Sequence, residues 1–124
     1  MKDINTVNAP KAIGPYVQAK RTGNMLFVSG QIPVNPETSL MPEGIKAQTE
    51  QSLKNLKAIL EEAGFSMENV IKAVCFLSDM ANFNAFNEVY AEFFKDNKPA
   101  RSCVAVKDIP KGAMVEVEAI AVID

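Results

Sequence analysis

The stretch Met-Val-Glu-Val-Glu-Ala-Ile-Ala-Val-Ile at residues 114–123 decides the fold. Every second residue from Val115 to Ile123 is apolar, which is the two-residue period of a strand with one face in a hydrophobic core. Ile120 and Val122 make its other face apolar as well. The stretch therefore predicts a strand that needs apolar neighbours on both faces.

Short segments rich in β-branched and apolar residues predict the other strands of the sheet. They are residues 16–22, 24–30, 70–77 and 101–106. Gly23-Asn24 is typical of a tight hairpin turn and joins the first two segments. The third segment is almost continuously apolar, so we expect a central strand buried on both faces.

Two segments carry the three- and four-residue spacing of amphipathic helices. The first runs from Ile45 to a stop at Gly64, and the second begins at about Asn82. A dense aromatic stripe on the second helix is interpreted as core packing. Proline and glycine residues between positions 31 and 44 predict a loop ahead of the first helix.

The predicted order is β-β-α-β-α-β-β, in one domain that spans residues 1–124. Each helix has a single apolar stripe, so we expect an α+β fold with both helices on one face of a mixed sheet. No element remains to cover the opposite face. Because a large exposed apolar face is unfavourable in a monomer, we expect a symmetric homo-oligomer that buries it.

Composition and charge exclude several classes of protein. With 48% hydrophobic and 23% charged residues, the chain has the balance of a folded globular domain. The formal net charge of -2, with both signs scattered along the chain, argues against nucleic acid as a partner. The polar N-terminal segment and the lack of a long apolar run indicate neither a signal peptide nor a membrane span, so we expect a soluble, cytoplasmic protein.

The residue types also limit the chemistry. The chain has no histidine, which excludes catalytic triads built on imidazole and histidine metal ligands. Cys75 and Cys103 lack the spacing of a zinc site or a disulfide framework, so we expect no metal site and two small buried side chains. Catalysis would then use carboxylates, Arg, Tyr, Cys, Lys or bound water.

Arg101 and Glu116 are the main candidates for a functional site. Arg101 shares one face of its strand with Cys103, and its guanidinium either shields an exposed strand edge or binds an anion. Glu116 and Glu118 share one face of an apolar strand, where a carboxylate is costly unless it is paired or used. They either form a salt bridge with a neighbouring strand or include a carboxylate that activates a water molecule.

Tyr16 and Ser29 are weaker candidates. Tyr16 follows the turn Gly14-Pro15, which would fix the start of the first strand and direct the phenol, although an ordinary strand tyrosine explains it equally well. Ser29 precedes Gly30, where the backbone can approach a ligand closely, and a simple turn explains it as well. These residues alone predict an α+β oligomer with an anion site of undefined purpose.

Five motifs together resemble the Rid (reactive intermediate deaminase) family, in particular its RidA branch, over nearly the whole chain. They are Asn8-Ala9-Pro10, Ile13-Gly14-Pro15-Tyr16, Ser29-Gly30-Gln31-Ile32-Pro33, Pro99-Ala100-Arg101-Ser102 and Val115-Glu116-Val117-Glu118. They occur in the order and at the spacing of the family, and the last two form the most specific pair.

The resemblance implies a chorismate-mutase-like fold that assembles as a homotrimer. In this barrel-like assembly the helices lie outside and three active sites lie between subunits. The implied activity is that of a 2-iminobutanoate/2-iminopropanoate deaminase, which hydrolyses reactive 2-imino acids or enamines to 2-keto acids and ammonia. No cofactor and no metal are implied.

The resemblance also assigns roles to single residues. Arg101 would bind the substrate carboxylate with two parallel hydrogen bonds from its planar guanidinium. Glu116 would position the attacking water. The other substrate-binding residues would be Tyr16, Ser29, Asn87 and Cys103. Ala105 departs from the family, since many relatives carry an acidic residue there, and this difference would affect substrate preference.

Three other functions remain open on the sequence. A trimer that binds small carboxylates as a regulator would use the same Arg101. A deaminase of a different enamine, such as 2-aminomuconate, would use the same pocket. An endoribonuclease or translation inhibitor is less favoured, because the chain is acidic and has no histidine.

Overall fold

The computed structural model describes all residues from Met1 to Asp124 and contains six strands and two α-helices. The strands are β1 (Lys2–Ile4), β2 (Ala19–Thr22), β3 (Met25–Gln31), β4 (Val70–Leu77), β5 (Ala100–Ala105) and β6 (Val115–Val122). The helices are α1 (Ile45–Glu62) and α2 (Phe83–Phe93). Single 3-10 turns at Met67–Asn69, Met80–Asn82 and Pro110–Gly112 connect them.

All six strands form one mixed sheet in the order β1-β2-β3-β6-β4-β5. Only β4 and β5 run parallel, because α2 provides the crossover connection that a parallel pair requires. The C-terminal strand β6 lies between β3 and β4 and pairs antiparallel with both. The α+β fold with two helices on a mixed sheet, predicted from the sequence, is confirmed.

The helices cover one face of the sheet and form the core with it. On β6 this face carries Val115, Val117, Ala119 and Ala121, each at most 4% exposed. These side chains belong to one cluster of 22 buried residues that draws on both helices and most strands. Burial of each Val or Leu in such a cluster stabilises the fold by about 1.5–3 kcal/mol, which accounts for the strict period of the strand.

The other face of the sheet has no cover within the chain, as the sequence predicted. We call it the open face. On β6 it carries Glu116, Glu118, Ile120 and Val122, all half-buried. Phe27 on β3 and Val104 on β5 are 42% and 47% exposed.

The helix predictions agree with the structure at both ends. Helix α1 ends just before Gly64, whose positive φ of 82° allows the chain to leave the helix. Phe65 N then donates a 2.8 Å hydrogen bond to Leu60 O and closes the helix end. Neither helix is long and apolar enough to cross a membrane.

Two strand predictions at the N-terminus were wrong. Strand β1 was missed, because its three residues are mostly polar and exposed and are held only by backbone pairing with β2. The next strand begins at Ala19 rather than at residue 16. Tyr16 N donates to Gly14 O at 2.8 Å, so the Gly-Pro turn extends through Tyr16 and the strand starts later.

Strand β4 also differs from its prediction. It lies inside the sheet, but only its helix-facing residues Val70, Ala73, Cys75 and Leu77 are buried, and Ile71 is 50% exposed. Its apolar sequence therefore reflects one face in the core and one on the uncovered side of the sheet.

Candidate active site

The guanidinium of Arg101 lies against the aromatic side of α2. Its Nη1 donates a 2.7 Å hydrogen bond to Asn87 Oδ1. Its Cζ lies 4.7 Å from the ring centroid of Tyr90, 5.6 Å from that of Phe83 and 5.8 Å from that of Phe86. Cation–π contacts of this kind hold a guanidinium without neutralising it. Arg101 forms none of the ion pairs in the chain, so it is a half-buried cation without a carboxylate partner.

Strand register sets the direction of this side chain. Arg101 pairs with Ala73 and Cys103 pairs with Cys75 across the parallel β4–β5 ladder. Because Ala73 and Cys75 are buried beneath the helices, Arg101 and Cys103 also lie on the helix-covered face. This confirms the prediction that Arg101 and Cys103 share a face. The interpretation of Arg101 as a charge that shields the strand edge is not supported, since the side chain turns towards α2.

The thiols and the phenol near Arg101 are neutral at ordinary pH. Burial raises the pKa of Cys75 and that of Tyr90 to about 12, although the positive charge of Arg101 opposes both shifts. Burial also raises the pKa of Cys103, again against Arg101. Because the thiolate is the nucleophilic form of cysteine, Cys103 is poorly suited to attack a substrate.

Glu116 lies on the open face, above Gly30 of β3. A Cβ atom added at Gly30 would overlap Glu116 Oε2, so glycine provides the space for this carboxylate. Burial raises the pKa of Glu116, and repulsion from Glu118 raises it further. Neither carboxylate forms an ion pair, so the salt bridge considered from the sequence is not what the structure shows. Glu116 is instead a half-buried carboxylate of raised basicity.

Tyr16 and Ser29 lie on the same side of the molecule as Gly30. The Ser29 hydroxyl donates a 2.6 Å hydrogen bond to Val17 O, which fixes the chain next to Tyr16. Tyr16 Oη accepts a hydrogen bond from Ile13 N at 3.3 Å, and the side chain is 47% exposed. The Ser29 hydroxyl therefore already donates its proton to a backbone carbonyl, whereas the Tyr16 phenol can still donate a hydrogen bond to a ligand.

Tyr16 and Gly30 line a cavity of about 340 Å³, here called the Tyr16 cavity. Its other lining residues include Ile32, Val34, Ser39 and two lysines. The buried amide of Asn55 on α1 donates to Ile32 O at 3.1 Å and to Val34 O at 2.9 Å. The wall that these residues form is therefore fixed to the helix layer.

Buried Gln18 fixes the opposite wall. Its Oε1 accepts a hydrogen bond from Thr6 N at 2.8 Å, and its Nε2 donates to Pro10 O at 2.8 Å. Further hydrogen bonds from Nε2 reach Thr6 O and Ala9 O. The motif Asn8-Ala9-Pro10 is thus held in place by a residue that the sequence analysis did not single out.

The structure divides the six predicted site residues into two groups. Arg101, Asn87 and Cys103 form one group on the helix-covered side of β4 and β5. The second group contains Tyr16, Ser29 and Glu116, around Gly30 and the Tyr16 cavity. Within one chain the two groups do not meet. No cluster of three or more Cys, Asp or Glu side chains has an arrangement that could hold a metal ion.

The rings of Phe83, Phe86 and Tyr90 lie against the Arg101 guanidinium and are here called its aromatic bed. The sequence analysis did not identify them as part of the site. The stripe on α2 was assigned to the core, and Phe86, Tyr90 and Phe94 are indeed buried there. Phe83, Phe86 and Tyr90 also contact the guanidinium. Their three- and four-residue spacing around Asn87 on one helix was the available signal, but only the β4–β5 register shows that Arg101 faces them.

Comparisons with known proteins find relatives that match nearly the whole chain. A RutC family protein of Pasteurella multocida is 54% identical over 125 residues, which cover 98% of this chain and 97% of that protein. The 2-iminobutanoate/2-iminopropanoate deaminase of Escherichia coli is 49% identical over 124 residues, with 98% and 97% covered. The crystal structure of Escherichia coli TdcF with bound serine has a TM-score of 0.98 and 46% identity, and all of both chains is covered.

The family model described as Endoribonuclease L-PSP matches residues 6–123, which is nearly the whole chain. The crystal structure of RidA from an Antarctic Psychrobacter has a TM-score of 0.97 and 43% identity to this chain, with 99% of this chain and 100% of that chain covered. The chain therefore belongs to the Endoribonuclease L-PSP family, which contains the Rid proteins that its five motifs resemble.

Proposed function

We propose that this protein hydrolyses 2-imino acids to 2-keto acids and ammonia, with 2-iminobutanoate and 2-iminopropanoate as substrates. The observation that carries the proposal is Arg101, a half-buried cation that has no carboxylate partner in the chain and is held by Asn87 and three aromatic rings. A site of this kind fits a small carboxylate. The name of the 49% identical Escherichia coli relative supports the same activity.

In the proposed reaction Arg101 binds the substrate carboxylate. Two parallel, charge-assisted hydrogen bonds from its guanidinium would fix the position of the adjacent imine carbon. The aromatic bed and Asn87 restrict the motion of the guanidinium before the substrate arrives. Less conformational entropy is then lost when the substrate binds.

In the same reaction Glu116 activates the attacking water molecule by accepting its proton. Burial and the nearby Glu118 raise its pKa, which makes its carboxylate a better proton acceptor than that of an exposed glutamate. Water adds to the carbon of the protonated C=N bond while its proton passes to Glu116. Glu116 then returns this proton to the nitrogen of the resulting carbinolamine. The C–N bond breaks, ammonia leaves, and the carbinolamine hydroxyl gives its proton to Glu116 as it becomes the keto oxygen. The Tyr16 phenol lies near this position and is free to donate a hydrogen bond.

The two groups of residues require two chains. We propose a homotrimer in which the open face is buried and Arg101 of one subunit meets Glu116 of the next. The exposed apolar side chains Phe27 and Val104 support such an interface. Closed cyclic symmetry would repeat the same contact at each subunit boundary and give three equivalent sites.

The test is a coupled assay in which a threonine dehydratase generates 2-iminobutanoate and the appearance of keto acid is followed. We expect the wild-type protein to accelerate hydrolysis above the spontaneous rate. Each charge-assisted hydrogen bond contributes about 1.5–3 kcal/mol. Arg101→Ala should therefore lower kcat/KM by about 100-fold or more, and Arg101→Lys, which keeps the charge but loses the planar fork, by nearly as much.

Arg21 provides a matched control. It is also half-buried, donates to Ala63 O at 3.1 Å and lies 5.1 Å from the Phe65 ring centroid. Arg21→Lys should leave the rate nearly unchanged. An Arg101→Lys variant with wild-type activity would contradict the proposed role of Arg101 in binding the substrate carboxylate. A wild-type protein without any acceleration would shift the function towards a regulator that binds small carboxylates.

A further inference from the structure

The Tyr16 cavity contains both non-glycine residues of the chain that have a positive φ. These are Ser39, at 63°, and Lys111, at 60°. The left-handed backbone conformation is unfavourable for residues other than glycine and asparagine, and it occurs preferentially at functional sites. Two separate loops therefore adopt an unfavourable conformation around one cavity.

The charged residues that line this cavity are all cationic. Lys11 and Lys111 both line it, and no aspartate or glutamate does. Neither lysine takes part in an ion pair. Because the chain as a whole is acidic, a cavity with two unpaired ammonium groups and no carboxylate is a local reversal of charge. Such a cavity favours an anion.

The cavity is also rigid and has the size of a ligand site. Asn55 holds the wall formed by Ile32 and Val34, and Gln18 holds the opposite wall at Pro10. Its volume of about 340 Å³ lies in the range of about 300–1,000 Å³ that is typical of small-molecule sites. Gly30, which lines it, is also the residue beneath the Glu116 carboxylate. The cavity therefore adjoins the position at which water would attack.

We propose that the Tyr16 cavity is an anion-binding subsite that accepts the distal carboxylate of a dicarboxylic 2-imino acid. The inference rests on the proposed function, since it extends the substrate from the imine carbon held near Glu116. Arg101 of a neighbouring subunit binds the carboxylate next to the imine. Lys11 and Lys111 bind the second carboxylate, at the far end of the side chain. The reaction that supplies such a substrate is the two-electron oxidation of an amino acid with a carboxylate side chain by an oxidase or dehydrogenase.

The test compares two substrates. An L-aspartate oxidase generates 2-iminosuccinate and a threonine dehydratase generates 2-iminobutanoate, and kcat/KM is measured for each. The readout is the ratio of the dicarboxylic to the monocarboxylic value. Both lysines are exposed, so each contributes modestly: the ratio should fall about threefold in Lys11→Gln or Lys111→Gln and about tenfold in the double variant. Lys111→Arg, which keeps the positive charge, should retain most of the wild-type ratio.

Lys57 serves as the matched control. It is an exposed lysine on α1 without an ion pair, and Lys57→Gln makes the same change in net charge. It should leave the ratio unchanged. A wild-type protein that hydrolyses 2-iminobutanoate but not 2-iminosuccinate would overturn the subsite and leave the proposed function intact. An unchanged ratio in the double variant would do the same.

Equilibrium binding separates the two proposals. Succinate and butanoate are titrated into the wild-type protein and the double lysine variant by calorimetry. If the wild-type protein binds succinate more tightly than butanoate and the double variant does not, the subsite is supported. This holds even if neither imine is hydrolysed, because a lack of hydrolysis would refute only the proposed function. Equal binding of the two acids to the wild-type protein would refute the subsite.

Discussion

Arg101 and Glu116 point away from opposite faces of the same sheet, on strands β5 and β6 with β4 between them. Neighbouring strands lie about 4.8 Å apart, so the two backbones are separated by about 10 Å before the side chains diverge. The carboxylate and the imine carbon of a 2-imino acid are adjacent atoms of one small molecule. The proposed mechanism, in which both residues act on one substrate, therefore requires a second copy of the chain to supply one of them.

The first prediction concerns this division of the site between chains. Arg101→Ala and Glu116→Gln should each abolish imine hydrolysis, but co-expression of the two variants should restore it. A mixed boundary with an intact Arg101 from one chain and an intact Glu116 from the other recreates the native site. Every mixed cyclic trimer has one such boundary among its three, so about a third of the wild-type sites should be native. Activity is measured on co-purified mixed oligomers that carry two different tags.

The control mixes each variant with itself under the same conditions. Mixed oligomers that form, as shown by retention of both tags, but have no more activity than the separate variants would contradict a shared site.

The second prediction concerns pH. Because the folded-state pKa of Glu116 is raised, the folded chain binds this proton more tightly than the unfolded chain does. The stabilising contribution of the proton is therefore complete below the unfolded pKa and is lost as pH rises through the folded pKa. Glu116→Gln should then raise the Tm near pH 7 and make no difference near pH 3, where wild-type Glu116 is itself protonated.

The same variant should lose hydrolysis, and the kcat/KM of the wild type should fall at acidic pH with a midpoint above the usual range of a glutamate. Calorimetry across pH measures the stability, and Glu61→Gln on the exposed side of α1 is the control. Loss of stability in Glu116→Gln at neutral pH would show that the charged carboxylate has a partner in the assembled protein.

The third prediction concerns Gly30. A Cβ atom at this position overlaps the Glu116 side chain, so Gly30→Ala should destabilise the fold by about 1–3 kcal/mol and displace the carboxylate. In a Glu116→Ala background the same substitution should cost much less, because the overlapping atoms are gone. A double-mutant cycle on the free energy of unfolding measures this coupling.

Gly14→Ala is the control, since its Cβ would lie at an ordinary contact distance of 3.4 Å from the Tyr16 ring. Equal costs for Gly30→Ala in both backgrounds would mean that the glycine serves something other than Glu116.

The fourth prediction concerns the open face. Phe27 is 42% exposed and lines a shallow cavity on this face with Val74 and Ile120. Phe27→Glu should place a charge in the proposed interface, where burial without a partner is costly. We expect monomers in sedimentation analysis and no imine hydrolysis. Lys57→Glu, on the helix side, should leave the assembly intact, and a trimeric Phe27→Glu protein would place the interface elsewhere.

Local sequence patterns predicted most elements of the fold. The alternation of Val115 to Ile123, the hairpin at Gly23-Asn24 and the helix stop at Gly64 all depend on residues within a few positions of one another. Strand β1 was missed for the opposite reason. Its three residues, of which only Ile4 is apolar, are too few to show a period, and only their pairing with β2 makes them a strand.

The candidate site divides in the same way. Arg101, Glu116, Tyr16, Ser29, Asn87 and Cys103 were identified from the sequence. The aromatic bed of Arg101, the glycine beneath Glu116 and the two lysines of the Tyr16 cavity were not. The spacing on α2 shows that the aromatic residues share a helix face with Asn87, but each of the three features depends on contacts between different elements, which a spacing rule does not give.

By itself, the sequence determined the α+β class, both helices, most strand segments and the apolar second face of β6, because side-chain periodicity reports directly on which face is buried. Only the tertiary structure decided that Arg101 turns towards α2 while Glu116 turns to the open face. That outcome depends on the register of β4 with β5 and with β6, which long-range backbone hydrogen bonds set. A shift of either register by one residue would reverse every side chain of the strand.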